Sequence, residues 1–350
     1  MTLKTTDQLK RSSIYSLTQN DLSQVLMEAG FEKYRSQQIF QFLYQKRLNQ
    51  FSDMKNLPES LRTYLAEHFV ISSLGNLDHQ ISQDKNTHKY LFGLSDGLRI
   101  ESVVIKDGSR NTLCLSSQVG CSLNCRFCAT GQMEIKRNLK PGEILDQFLY
   151  LKDKHGSIHN IVFMGMGEPL LNYNNVINSI RILNSKDGLD VGIKRITVST
   201  AGIAKGIRRL ADESMNIQLA VSLNAPDQEL RAEIMPFAQK ITLQEVIGAC
   251  HFYQEKTGRR FTFEYVLIKG VNMRKGDAKK IVKLSKELHF NLNLIPYNPV
   301  SGCDYQSPTP YEVDQFVKNF QYSRLEVVQR KRKGRDISAA CGQLLASQPD

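Results

Sequence analysis

Short apolar segments alternate with helical segments between residues 112 and 298, and this alternation limits the folds that the chain can adopt. Each apolar run has the length of a strand, and the intervening stretches have helical spacing, as in KPGEILDQFLYLKDKHG with Pro141 at its start and Gly156 at its stop. Alternating strands and helices predict a parallel sheet or barrel of βα units. The runs are TLCLSS (112–117), NIVFMG (160–165), RITVST (195–200), IQLAVSL (217–223), TFEYVLI (262–268) and LNLIPYN (292–298).

The number of units predicts how far the barrel closes. Six units are too few for a complete eight-unit barrel. We therefore predict an α/β fold built on a partial (βα)6 barrel that stays open. The segment LEVVQR (325–330) is a candidate for one further strand.

The first part of the chain has a different pattern. Residues 20–68 carry apolar side chains at helical spacing, with Asn20 or Asp21 as a candidate cap of the first helix and Gly30 as its stop. Residues 85–106 alternate and contain turn residues, which predicts a hairpin. We expect residues 1–95 to form a helical accessory domain with the following hairpin, and residues 96–350 to form the barrel and a C-terminal segment.

Charge and composition indicate the class of partner and the compartment. The net charge is +11, which favours a polyanionic partner such as nucleic acid, and RKRKGR (330–335) is a dense basic cluster. No run of about 18 apolar residues is present, so we expect no membrane span. The N-terminal sequence lacks the apolar core of a secretory signal, and an odd number of cysteines, seven, argues against a disulfide framework. We expect a cytoplasmic protein.

Polar residues follow several of the predicted strands at the point where each strand ends. Chemistry in βα barrels takes place at this edge, because the loops after the strands meet there. We therefore expect a polar ligand across the barrel mouth. The residues are Gly167 and Glu168, Ser199, Ser222 and Asn224, and Asn298.

The segment GCSLNCRFCATG (120–131) places Cys121, Cys125 and Cys128 in the spacing C-x3-C-x2-C. Thiolates bind soft metals and iron–sulfur clusters. A cubane of four irons held by three thiolates keeps one iron open, and an open coordination position is where a substrate binds.

Other interpretations of the three cysteines remain open at this point. A zinc site needs a fourth ligand, and His155 and His159 are distant in sequence. A thioredoxin-like C-x-x-C pair leaves Cys121 without a role. Free buried cysteines rarely cluster in this way. Gly120 and Gly131 bracket the loop and permit a tight backbone.

A family resemblance follows from these motifs. C-x3-C-x2-C directly after a first strand resembles the radical S-adenosylmethionine superfamily, whose fold is typically a six-unit partial barrel. Further segments resemble, in the same order, the RlmN-type ribosomal RNA adenine-C2 methyltransferases, and the resemblance covers residues 15–345. The segments are CLSSQVGCSLNCRFCATG, FMGMGEPLLN, ITVSTAG, AVSLNAPD, LIPYNP and DISAACGQL.

The resemblance implies two cofactors and their binding residues. A [4Fe-4S] cluster would be held by Cys121, Cys125 and Cys128, and its open iron would chelate S-adenosylmethionine. The family usually has His at the position of Asn224. The implied contacts of S-adenosylmethionine are Gly167, Glu168, Ser199, Ser222, Leu223, Asn224 and Asn298.

The resemblance also implies the catalytic residues Cys341, Cys114 and Glu101. Adenine C2 is electron-poor, so the methyl group must arrive as a carbon radical. In the family, one S-adenosylmethionine methylates Cys341 by displacement, and a second supplies a 5′-deoxyadenosyl radical that removes a hydrogen from that methyl group. The methylene radical adds to C2, Glu101 takes the C2 proton, and Cys114 forms a disulfide with Cys341 that frees the product.

The implied partners are 23S ribosomal RNA, transfer RNA (adenine 37) as a second substrate in some members, and a flavodoxin or ferredoxin as electron donor. We expect a monomer without a membrane partner. Two alternatives remain: a methyltransferase of adenine C8, although Pro169 after Glu168 resembles the C2 branch, and a zinc-stabilised RNA-binding protein without catalysis. Cys250 and Cys303 receive no functional role.

Overall fold

The computed structural model describes residues 11–330 and 332–346, so the first ten residues and Lys331 of the basic cluster lie outside the described part. The strands are, in chain order, β1 (Ser12–Ser13), β2 (Phe69–Val70), β3 (Gly75–Ile81), β4 (Thr87–Gly93), β5 (Arg99–Asp107), β6 (Arg110–Cys114), β7 (Gln118–Val119), β8 (Arg137–Asn138), β9 (Asn160–Phe163), β10 (Ile196–Thr200), β11 (Gln218–Ser222), β12 (Phe261–Leu267), β13 (Phe290–Pro296) and β14 (Glu326–Gln329). The α-helices are α1 (Gln19–Glu28), α2 (Arg35–Phe40), α3 (Glu59–His68), α4 (Pro141–His155), α5 (Tyr173–Asn184), α6 (Ala204–Asp212), α7 (Gln228–Ile234), α8 (Leu243–Thr257), α9 (Lys275–Leu284) and α10 (Pro310–Lys318).

The N-terminal region is helical, as the sequence predicts. Helix α1 begins after Thr18, whose hydroxyl accepts from the Asp21 N–H (3.2 Å) while the Asp21 carboxylate accepts from the Thr18 N–H (3.0 Å). The prediction that Asn20 or Asp21 caps this helix is therefore wrong, because a capping box needs the hydroxyl residue three positions before the carboxylate. Helix α2 continues as a π-helix over Gln41–Gln45.

One sheet of ten strands, in the order β14-β13-β12-β11-β10-β9-β6-β5-β4-β3, forms the framework of the described chain. From β6 onward through β9 to β14, every neighbouring pair is parallel. All six strands expected from the apolar runs are present, and LEVVQR supplies the further strand β14. This confirms the partial βα barrel.

The hairpin expected at residues 85–106 is also present. Strands β4 and β5 pair antiparallel along their length, and β5 pairs antiparallel with β6. The hairpin is therefore continuous with the barrel sheet by hydrogen bonding. The domain division at residue 95 stays a prediction.

Helix α4 illustrates how the sequence builds the outer layer of the barrel. Pro141 occupies its first turn, the Glu143 carboxylate accepts from the Lys140 N–H (2.8 Å), and Gly156 ends it with a positive φ of 72°. Ile144 and Phe148 are almost completely buried against the sheet. Burying such side chains stabilises the fold by about 1.5–3 kcal/mol each.

Among the described residues, every helix is either too short or too polar to span a membrane.

Candidate active site at the barrel mouth

A cavity with about 950 Å³ of empty space opens at the carboxyl ends of the parallel strands. We call it the donor cavity. Its wall combines thiols with carboxylate, hydroxyl and amide groups, which suits a polar cofactor. Cys121, Cys125 and Cys128 line it together, and so does Cys341. The other sequence-predicted residues in its wall are Gly167, Glu168, Ser199, Ser222, Asn224 and Asn298.

The cysteine loop is tightly closed, and its glycines explain how. Gly120 has φ +80°, and a side chain there would collide with the Glu134 backbone. A Cβ at Gly131 would lie 2.7 Å from the Cys125 carbonyl oxygen. The sequence interpretation of both glycines is confirmed. The two-stranded pair β7–β8 joins the ends of the loop.

The three cysteines of this loop are free; Cys121 is buried, and Cys125 and Cys128 are partly buried in the wall of the donor cavity. Burial raises the pKa of Cys121 to about 12, and it raises the pKa values of Cys125 and Cys128 as well. The neighbouring thiols raise the pKa of Cys125 further, because adjacent negative charges repel. Three thiolates in such a place need a positive partner, and the iron atoms of a cluster supply it. The residues therefore fit a [4Fe-4S] cluster.

Among residues 11–330 and 332–346, no group of three His, Cys, Asp or Glu side chains converges on a position for a single metal ion. The three thiolates of a cubane bind three different irons, so they need not converge on one point.

The Glu168 carboxylate links two loops at the barrel mouth. It accepts from the Leu170 N–H (2.9 Å) and from the Ala201 N–H after β10 (2.7 Å), while the Glu168 N–H donates to the Gln118 side chain (2.7 Å). Burial raises the pKa of Glu168 to about 7, although both N–H donors lower it. The side chain is thus occupied by the protein itself, and it holds the loop that carries Gly167 in place.

Residues at the carboxyl ends of β10 and β11 are held in a similar way. The Ser199 hydroxyl donates to the Glu264 carboxylate (3.0 Å). Asn224 has a left-handed backbone (φ +54°), and its side-chain oxygen accepts from the Val266 N–H (2.8 Å). Leu223 is fully buried and does not line the donor cavity, so only its backbone is placed near the mouth.

Asn298 is 4 % exposed and connects the donor cavity with the C-terminal segment. Its side-chain amide donates to the Cys341 carbonyl oxygen (3.2 Å). Its side-chain oxygen has no hydrogen-bond partner among the described residues. A buried acceptor in a cavity wall is satisfied when a bound molecule donates to it, so this atom fits the hydroxyl or amino groups of S-adenosylmethionine.

Cys341 lines two further cavities. One, with about 1020 Å³ of empty space, is lined by Arg330, Arg332 and Lys333, and we call it the basic cavity. The other, with about 480 Å³, is lined by Cys114, Cys128 and Arg330, and we call it the thiol cavity. Cys341 therefore lies where a donor site, a basic entrance and a second free cysteine meet.

Among the described residues that line the thiol cavity, Arg330 is the one cation, and Cys114, Cys128 and Cys341 are the free cysteines. Burial raises the pKa of Cys114 to about 12, the Cys341 thiol raises it further, and Arg330 lowers it. The negative charge of Cys341 in turn raises the pKa of Arg330. Arg330 also approaches the Glu264 carboxylate (3.8 Å), which connects this cation with Ser199.

Glu101 does not line any of these three cavities. Its carboxylate forms a nearly buried ion pair with Lys89 (3.1 Å) and accepts from the Leu345 N–H (2.9 Å). It is on β5, two residues before Val103, which does line the thiol cavity. The C-terminal segment therefore covers Glu101 in this structure.

Sequence reasoning missed Glu264, Gln118 and Lys89. A single carboxylate in the apolar run TFEYVLI was a signal for Glu264, because strands of a parallel sheet are buried on both faces. Nothing in the local sequence indicates Gln118 or Lys89, since their roles depend on partners from other strands.

A partial βα barrel with three free cysteines of one loop facing a polar cavity at the carboxyl ends of the strands is typical of a radical S-adenosylmethionine enzyme. The sequence model of the radical SAM superfamily matches residues 115–282, and that of the ribosomal RNA large subunit methyltransferase N-terminal domain matches residues 13–71. The chain belongs to the RlmN family of radical SAM methyltransferases. Its cofactors are a [4Fe-4S] cluster and S-adenosylmethionine.

Similar proteins cover almost the whole chain. A protein of Pelobacter propionicus named dual-specificity RNA methyltransferase RlmN is 42% identical over 335 residues, which are 96% of this chain and 96% of the relative. The protein of the same name from Geobacter sulfurreducens is 44% identical over 95% of this chain and 91% of its own length. The crystal structure of a radical SAM methyltransferase from Sphaerobacter thermophilus has a TM-score of 0.90 at 38% identity and covers 96% of this chain and 100% of that chain. The alternative of a non-catalytic zinc-stabilised protein is therefore wrong.

Proposed function

We propose that this protein methylates C2 of an adenine in 23S ribosomal RNA and also acts on transfer RNA. The relatives from Pelobacter propionicus and Geobacter sulfurreducens are named dual-specificity RNA methyltransferases, and the N-terminal match is to a domain of ribosomal RNA large subunit methyltransferases. The net charge of +11 is favourable for binding a polyanion.

Cys121, Cys125 and Cys128 hold the cluster in this proposal, and the residues of the donor cavity hold S-adenosylmethionine. When bound, the two cofactors together would supply the 5′-deoxyadenosyl radical, and a separate molecule of S-adenosylmethionine would supply an electrophilic methyl group. The unpartnered oxygen of Asn298 accepts a hydrogen bond from S-adenosylmethionine, and Ser199 is oriented for a similar contact by Glu264.

The position of Cys341 is the observation that carries the proposal. Adenine C2 is electron-poor and does not displace a methyl group from a sulfonium, whereas a thiolate does. A residue that takes the methyl group from the donor and passes it to the RNA must reach both. Cys341 lines the donor cavity and the basic cavity, so it meets this requirement.

Cys114 resolves the covalent link between the enzyme and the RNA. Its thiolate attacks the Cys341 sulfur and a disulfide forms. The bond between that sulfur and the methylene carbon breaks, and the carbon keeps the electron pair and takes a proton to become the methyl group on the base. Both cysteines are free in this structure and line the thiol cavity, which supports a disulfide that forms only during turnover.

Glu101 takes the C2 proton. The carboxylate is held by Lys89 and by the Leu345 N–H, so the segment around Leu345 must shift before the base of the target nucleotide can reach it. Cys341 belongs to the same segment and lines the basic cavity, so RNA that enters this cavity would contact the segment that has to shift.

The RNA enters through the basic cavity, where Arg330, Arg332 and Lys333 face the phosphates. The target base must be unstacked to reach Cys341. A flavodoxin or ferredoxin supplies the electrons. The protein works as a monomer in the cytoplasm.

Mass spectrometry of modified nucleosides tests the proposal. Anaerobically reconstituted protein, S-adenosylmethionine and a reductant are incubated with 23S ribosomal RNA or transfer RNA from cells that lack the gene. We expect 2-methyladenosine in both RNAs. Formation of 8-methyladenosine would assign the chain to the C8 branch, and modification of ribosomal RNA alone would remove transfer RNA from the proposal. The absence of any methyladenosine would overturn it.

A further inference from the structure

Arg231 on helix α7 is a fully buried cation with no exposed surface. One guanidinium nitrogen donates to the Ser222 and Leu223 carbonyl oxygens (2.9 and 2.7 Å), and another donates to the Ala201 carbonyl oxygen (2.6 Å). Ser222 is the last residue of β11 and Leu223 follows it, while Ala201 follows β10. The side chain therefore ties together two loops of the donor cavity, and its own charge lies directly behind the cavity wall.

The same helix contacts the cysteine loop. The Arg126 N–H, next to Cys125, donates to the Ile234 carbonyl oxygen at the end of α7 (3.0 Å). Met235 lines the donor cavity and accepts a weak hydrogen bond from Arg231 (3.3 Å to sulfur). Arg231 is thus packed between the loop that holds Cys125 and the loops that face S-adenosylmethionine.

No carboxylate of the described residues balances this cation. Among the described residues, the acceptors of Arg231 are carbonyl oxygens and one sulfur, and no ion pair to Asp or Glu is formed. Arg137, by comparison, is paired with both Asp96 and Glu143. A buried cation without an anion is costly unless a negative charge binds nearby.

The guanidinium remains charged at neutral pH. Burial lowers the pKa of Arg231 to about 10, while the negative charges of Cys125 and then Cys250 favour the cation. The thiolate of Cys125 can therefore provide the negative charge that compensates the Arg231 cation. A [4Fe-4S] cluster on three thiolates has a net negative charge, and one-electron reduction makes it more negative.

We propose that Arg231 is a positioning residue that raises the reduction potential of the cluster, because its uncompensated buried charge stabilises the reduced form more than the oxidised form. This inference rests on the proposed binding of the cluster by Cys121, Cys125 and Cys128. The effect is electrostatic and acts through the low-dielectric interior, where charges interact strongly.

Potentiometric titration of the reconstituted protein, followed by electron paramagnetic resonance and without RNA, tests the inference. We compare R231Q and R231K with R126Q as the matched control, because Arg126 is next to Cys125 but exposed to solvent. For R231Q we expect at least a tenfold shift toward the oxidised cluster at fixed potential, which corresponds to about 59 mV for a one-electron couple. R231K retains the charge and keeps the potential of the wild type, and R126Q changes it little because water screens the charge.

A second pair of variants leaves the Arg231 side chain itself unchanged. Cys250 on α8 is fully buried, and the Arg231 cation lowers the pKa of its thiol, although burial raises that pKa to about 12 overall. C250D places a carboxylate near the guanidinium and lowers the potential, whereas C250A does not. These variants decide the question if R231Q fails to fold.

Equal potentials in R231Q, C250D and the wild type would overturn the inference while leaving the proposed function intact. An equal decrease of the cluster's reduction potential in R231K and R231Q would also overturn the inference, because the effect would then come from loop geometry rather than from charge. Failure of the wild-type chain to bind iron and sulfide would overturn the cluster assignment and this inference together.

Discussion

The side-chain amide of Asn298 donates a hydrogen bond to the carbonyl oxygen of Cys341 across 3.2 Å. Asn298 follows β13, and Cys341 lies 43 residues later in the C-terminal segment. The bond joins a residue of the donor cavity to the cysteine that we propose as methyl carrier. The Asn298 side chain therefore connects the donor cavity directly with the backbone of Cys341.

N298A is expected to weaken binding of S-adenosylmethionine and to slow methylation of Cys341, because it removes both the unpartnered acceptor and the donor to Cys341. Loss of one hydrogen bond of this kind costs about 0.5–1.5 kcal/mol, a decrease in affinity of several-fold. Equilibrium dialysis and mass spectrometry of S-methylcysteine measure the two effects. Wild-type values for both would show that Asn298 has no part in the site.

C114A is expected to accumulate protein covalently linked to RNA, because no thiolate attacks the Cys341 sulfur. C341A forms no link, since the methyl carrier is absent. Denaturing electrophoresis of anaerobic reactions separates the two outcomes. C303A is the matched control, because Cys303 is a free cysteine that does not line the thiol cavity. Recovery of C114A free of RNA after incubation would contradict the role of Cys114.

E101Q is expected to abolish product formation and also to destabilise the fold. The Lys89–Glu101 pair is nearly buried, and removing one member of a buried ion pair costs about 3–5 kcal/mol. The double variant K89M/E101Q separates the two effects, because it removes both charges and is expected to recover stability but not activity. Chemical denaturation and nucleoside mass spectrometry measure these quantities. Recovered activity in the double variant would leave Glu101 with a structural role alone.

G120A is expected to abolish cluster binding, because a side chain at this left-handed position collides with the Glu134 backbone and displaces the cysteine loop. G97A is the matched control: Gly97 also has a positive φ, of +88°, but an added Cβ would have no neighbour within 4 Å. Iron and sulfide are determined after reconstitution, with circular dichroism as the measure of folding. A full complement of iron in G120A would contradict the proposed loop geometry.

The stability of the wild-type protein is expected to decrease as the pH rises from about 4 toward 7, in part because of Asp146. Burial raises the pKa of this carboxyl group to about 7 from its ordinary value of 3.8, although the Ser73 N–H (2.8 Å) and hydroxyl lower it. The folded state therefore binds the proton more tightly than the unfolded state. The stabilisation is complete below the unfolded pKa and is lost as the pH rises through the folded pKa.

D146N is neutral throughout this range and can still accept from the Ser73 N–H, so its stability is expected to change less between these pH values. Each unit of pKa difference corresponds to about 1.4 kcal/mol. Denaturant midpoints at intervals of pH measure the difference. Parallel pH profiles for the two proteins would contradict the buried position of Asp146.

Much of the barrel could be predicted because its information is local. Each strand carries its own apolar run, and helix α4 carries its own start at Pro141 and stop at Gly156. The prediction that Asn20 or Asp21 caps α1 is wrong because the cap is formed by Thr18 and Asp21 together, and a single position does not reveal it. The cysteine loop was also readable, since Cys121, Cys125 and Cys128 and their bracketing glycines are contiguous.

The βα framework, the three-cysteine loop and the family follow from the amino-acid sequence, because strand periodicity and motif spacing are properties of neighbouring residues. The folded chain is needed to see that Cys341 borders both the donor cavity and the basic cavity and that Leu345 covers Glu101. The same holds for Arg231, which is buried with no carboxylate partner among the described residues. These relationships join residues far apart in the chain. They depend on which strand ends meet at the barrel mouth and on how the C-terminal segment packs across it, and no local pattern encodes either.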